Sequence, residues 1–165
     1  MASLVVSDTS PIRALAHLNQ LGLLARLFGQ VLVPPAVELE LASPPAGLPK
    51  VNVRTLRGIE VRAPQNRQLV LNFMQTLDPG ESEALALALE IHADALLIDE
   101  AAGRATAQEV GLRPIGVLGI LLRAKQRNLI PELRPLLDQL QTDIVFFISP
   151  ALRTEILRLA GEMPR

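Results

Sequence analysis

Carboxylates are the side chains of this sequence best placed to do chemistry, since it has no cysteine, only two histidines and no serine–histidine arrangement that would make a nucleophile. Asp8 and Asp99 each close a short apolar run, built on Val5-Val6 and on Ala95-Leu96-Leu97-Ile98. In a parallel sheet the ends of such strands are where ligands bind, although either aspartate could equally cap the helix that follows. Glu81 lies three residues after Asp78, the spacing of a capping box. At 100° per residue it also shares a helix face with Ala84, Leu85 and Ala88 and so points inward, while Glu83 lies with Leu87 and Glu90 and points to water. Glu40 falls on the apolar arc of Val37 and Leu41; Glu38 sits farther round. The bland alternative for both is a solvated helix surface. Glu100 opens a helix, where its charge suits the macrodipole.

Gathered at one crevice, Asp8, Glu40, Glu81 and Asp99 would repel one another, by about 4 kcal/mol for two charges ~4 Å apart at an effective dielectric near 20. A divalent cation relieves that repulsion. With no cysteine and two histidines, the oxygen donors favour magnesium or manganese over zinc, and metal sites of this kind act on phosphates.

The elements that must position these acids alternate between strand and helix. After the first apolar run, Ser10 is expected as N-cap and Pro11 as the first helical residue. Two short Leu-rich helices lead to a strand at Val31-Leu32-Val33, then a helix from Ala36 to Ala42. Residues 43–64 are rich in Pro and Gly, with alternation at Val51-Asn52-Val53 and Ile59-Glu60-Val61 that supports a hairpin or edge strands. Helices follow over Gln65–Leu77 and from Pro79 to about His92. Next come a strand at Ala95–Ile98, a helix over Glu100–Val110, a short strand at Pro114-Ile115 and a helix over Val117–Arg127. A helix over Pro131–Leu140, a strand at Ile144–Ile148 and a C-terminal helix over 150–165 complete a single domain spanning 1–165. This alternation predicts an α/β fold, a central parallel sheet flanked by helices on both faces.

Composition narrows the function further. The 165 residues are 49% hydrophobic and 20% charged, well away from the signature of disorder. Aromatics are 2%, with no Tyr or Trp, which nearly excludes base-stacking platforms. No apolar run is long enough for a membrane span and no basic segment precedes the first one, so a cytoplasmic protein away from membranes is expected, as the lack of cysteine also fits. Net charge is −1, so a nucleic-acid partner needs a local basic patch; Lys50, Arg54, Arg57, Arg62 and Arg67 form a loose run opposed by Glu60.

Four segments carry a resemblance: Val6-Ser7-Asp8-Thr9-Ser10-Pro11, Val33–Leu41, Gly80-Glu81-Ser82-Glu83-Ala84, and Leu97-Ile98-Asp99-Glu100 followed by Arg104. In this order and spacing the chain resembles PIN-domain proteins over nearly its whole length, most closely a prokaryotic PIN-like subgroup related to VapC-type ribonuclease toxins. The resemblance implies a PIN-like fold, Mg2+ or Mn2+ as cofactor, and endonuclease activity on RNA, with Asp8, Glu40, Glu81 and Asp99 as the catalytic and metal-binding set. Glu100 stands where many relatives carry a second Asp and joins the metal ligands, directly or through water; Ser7 stands where an apolar residue is common. Thr9 or Ser10 would steady Asp8 or a water, and Arg104 would meet a phosphate or pair with an acid. A homodimer and a small antitoxin partner, as in a VapBC-like pair, are further implications. The rival reading is a PIN-like module that binds protein or RNA without cutting. Phosphotransfer through an aspartyl phosphate falls behind, because Ser10 stands where an Asp-x-Asp would place its second acid.

Overall fold

The computed structural model of the chain describes residues 3–144 and 146–162. Its contacts gather into two compact units, Met1–Gly116 and Val117–Arg165.

The first unit holds a five-stranded, all-parallel sheet of β1 (Val5–Ser7), β2 (Val31–Val33), β3 (Ile59–Val61), β4 (Ala95–Leu97) and β5 (Pro114–Ile115), in the order β3-β2-β1-β4-β5. β1, β2 and β4 are buried throughout, as continuous apolar strands of a parallel sheet must be. Only β2 pairs with β3, so β3 is an edge, and Glu60 faces out from it. Gly58, which leads into β3, has φ +84° and no room for a Cβ, which would lie 2.8 Å from the Gly29 carbonyl oxygen and from the Ala25 Cβ.

Strand order reverses between β1 and β4, the switch point at which an α/β sheet opens a crevice beyond its carboxyl ends. The chain runs outward from β1 to β3 through α1 (Thr9–His17), α2 (Gly22–Phe28) and α3 (Pro35–Ala42), and outward the other way through α4 (Arg67–Phe73), α5 (Pro79–Glu90) and α6 (Ala101–Glu109). α5 packs on α3, α4, β1 and β4, and its Gly80, Ser82, Ala84, Ala86 and Ala88 are all buried, small enough to let those neighbours close in.

Three local expectations change. α1 begins at Thr9 rather than after a Ser10 cap, with Asp8 at the N-cap position. Val51–Val53 forms no strand; Asn52 instead caps a 3-10 turn, Val53–Thr55, by accepting the Arg54 amide at 3.2 Å, and β3 joins the sheet alone. In the second unit, α7 (Val117–Gln126), α8 (Arg134–Asp143) and α9 (Pro150–Leu159) are present, but residues 144 and 146–148 take no strand; Val145 lies outside the described residues. Glu162 ties this unit together, accepting the Leu133 and Arg134 amides at the start of α8 and pairing with Lys125 at 3.1 Å. Among the described residues, no helix is long and apolar enough to cross a membrane.

Candidate active site

Asp8 sits where β1 ends, and its amide donates to the Leu97 carbonyl of β4 at 2.8 Å, directly over the switch point. Although it occupies the N-cap position of α1, its side chain makes no cap hydrogen bond, so capping does not account for the carboxylate. It is 3% exposed. Burial pushes its pKa up to about 7, aided by the charges of Asp78, Glu40 and Glu100 and opposed by the Thr9 backbone amide.

α3 supplies Glu40. The Thr9 hydroxyl donates to its carboxylate, and the Arg13 guanidinium donates to its carbonyl at 3.1 Å, so consecutive turns of α1 hold both ends of the residue. Glu38, two residues earlier, faces away and pairs with Arg54 at 2.5 Å.

Glu81 is buried in the first turn of α5, its amide capped by Asp78 at 2.8 Å. Its pKa rises to about 8, first through burial, then through a hydrogen bond with the Asp78 carboxyl and the charges of Asp78, Asp8 and Glu100. A hydrogen bond to the neutral form of Glu81 favours its protonation. Asp78 therefore belongs to the cluster, a role that its capping-box spacing conceals. Glu83 does not simply meet water: it accepts the Ala36 amide at the start of α3 at 3.0 Å and pairs with Arg67 at 3.2 Å.

Adjacent residues after β4 part company. Glu100, exposed, contributes charge to both Asp8 and Glu81. Asp99 is half-buried, and its carboxylate lies with the Arg104 guanidinium against Gly116. Arg104 also donates to the Ile98 carbonyl at 3.0 Å. Ser10, half-buried, has no hydrogen-bond partner for its side chain among the described residues. Thus Asp8, Glu40, Glu81 and Glu100 form one electrostatic group with Asp78.

Among the described residues, no three acidic or imidazole side chains are placed to hold a single metal ion. The donors nonetheless fit a hard dication in kind: all are carboxylate oxygens, and neither Asp8 nor Glu81 has an ion-pair partner among the described residues. The basic run is less free than its sequence implies, since Arg54, Arg62 and Arg67 are paired with Glu38, Glu60 and Glu83.

A parallel sheet with acids at its switch point defines an α/β fold with a candidate ligand site beyond its strand ends. Residues 4–162 match the family model DUF3368, described as a PIN domain, and the chain belongs to that family. PIN domains are generally nucleases that act on nucleic acid with divalent metal ions. No curated protein matches the chain.

Proposed function

We propose that this chain is a metal-dependent endoribonuclease that hydrolyses RNA phosphodiesters, with Asp8, Glu40, Glu81 and Asp99 as its acidic set, Glu100 assisting, and Mg2+ or Mn2+ as cofactor. The observation that carries this reading is the burial of Asp8 and Glu81 beside further carboxylates, with no ion-pair partner for either among the described residues. A stability-driven sequence would not keep that arrangement. A bound dication would supply positive charge to the phosphate oxygens and make water easier to deprotonate. Thr9 fixes the Glu40 carboxylate, Asp78 caps the Glu81 amide, and Arg104 lies within reach of the strand ends to meet a phosphate. Lys50 and Arg57, which have no ion-pair partner among the described residues, are the cations left to track RNA from the basic run.

The order of motifs supports a VapC-like toxin held by a small antitoxin, working in the cytoplasm as a homodimer. A second reading, a PIN module that binds RNA or protein without cutting, draws on the lack of three carboxylates around one point. Labelled RNAs incubated with Mn2+ or Mg2+ separate the two. Cleavage by wild type, lost in folded Asp8→Asn and Asp99→Asn, establishes the nuclease; RNA binding with neither metal binding nor cleavage establishes the module.

A further inference from the structure

Three glycines of the first unit stand against three of its acids. A methyl group built on Gly80 would lie 2.7 and 2.9 Å from the carboxylate oxygens of Glu40; one on Gly103 would lie 3.2 Å from Oε2 of Glu81; one on Gly116 would lie 2.6 Å from Oδ1 of Asp99. In each case the acid comes from a different element: α3 to α5 for Glu40, α5 to α6 for Glu81, and the end of β4 to the end of β5 for Asp99. None of the three has a positive φ, so backbone conformation does not demand glycine there. Nor is crowding general, because Gly22 and Gly111 have nothing within 4 Å of the same construction. Two of the three even sit inside helices, where glycine weakens the element that carries it.

We infer that Gly80, Gly103 and Gly116 are positioning residues: the space of each missing Cβ seats one carboxylate and so sets the spacing of the acidic cluster. The functional weight of this rests on the metal-site reading above; the seating itself does not. At Gly80 the three nearest atoms all belong to the flexible end of Glu40, so Gly80→Ala should fold, with the carboxylate displaced. Gly103→Ala is less suitable, since its methyl would also meet Ile98 Cδ1 at 2.5 Å in the core.

The test has two readouts. In chelator, the 13C carboxyl signal of Glu40 is compared among wild type, Gly80→Ala and a Gly22→Ala control. Mn2+ affinity is then measured calorimetrically for Gly80→Ala in the wild-type and Glu40→Asp backgrounds. Seating predicts a moved Glu40 signal in Gly80→Ala alone. It also predicts a loss of Mn2+ affinity of roughly 10-fold that shrinks to about 2-fold or less when the shorter aspartate leaves room. An unmoved Glu40 signal overturns the inference, as does an equal loss in both backgrounds. If wild type itself binds no Mn2+, the metal-site reading fails, and the carboxyl signal alone decides the seating.

Discussion

Asp8→Asn should make the metal-free protein more stable at neutral pH while ending its response to metal. Asp8 has its pKa raised in the fold from the usual 3.8 to about 7. A carboxyl raised in this way contributes stability that is fully present below pH 3.8 and is lost as pH climbs towards 7, because the unfolded chain ionises first. About three units at 1.36 kcal/mol each set an upper bound of roughly 4 kcal/mol on that loss. Relaxation and water entry reduce it to about 2 kcal/mol, or some 4–8 °C in melting temperature for a chain of this size. Thermal unfolding in chelator from pH 4.5 to 8 should therefore show the wild-type curve falling away from the Asp8→Asn curve by that amount, with Glu81, raised from 4.5 to about 8, causing a further fall in both. Added Mn2+ should raise wild type and leave the variant where it was. Parallel curves with no crossing, or a variant less stable than wild type at pH 7.5, would show that the buried charge is not the strain described.

Mn2+ affinity should rise between pH 6 and 8, because Asp8 and Glu81, raised to about 7 and 8 in the metal-free protein, must ionise to accept a dication; an affinity flat across that range would detach both groups from metal binding. Glu100→Gln removes a charge felt by both acids, so their carboxyl signals should titrate at lower pH than in wild type, and unmoved titrations would place Glu100 outside the cluster. Glu83→Ala removes the side-chain acceptor at the start of α3 and should cost about 1 kcal/mol in urea unfolding, with faster exchange of the Ala36 amide. A neutral result there would mean that water replaces the cap.

Spacing alone made much of this molecule legible, because the informative signals were local. Val5-Val6, Val31–Val33 and Ala95–Leu97 read as buried strands from their unbroken apolar runs, and Asp-Pro-Gly-Glu reads as a helix start from Asp78 to Glu81. The helix wheel separates Glu40 from Glu38, and the two carboxylates do face different neighbours. Alternation misled at Val51–Val53, where the Asn52 side chain offers the backbone a nearer partner than any strand. At residues 146–148 it describes burial without a ladder: Phe147 is 85% exposed and Ile148 4%, with the Phe146 amide bonded back to Leu140.

What spacing could not supply were contacts across long separations. Glu83 looks solvated on its own wheel because its partner, the Ala36 amide, lies 47 residues earlier. Asp78 shows its backbone role in three residues of sequence, whereas its effect on Asp8 depends on α5 packing against β1. Asp99 and Glu100 make the limit plainest. Period-two alternation ends with β4 at Leu97, so nothing local determines which of the next two acids turns towards Asp8. Gly116, arriving from the next strand, leaves room for the Asp99 carboxylate, and the charge of Glu100 reaches Asp8 and Glu81. The seat of the Asp99 carboxylate is thus associated with a residue that has no side chain at all.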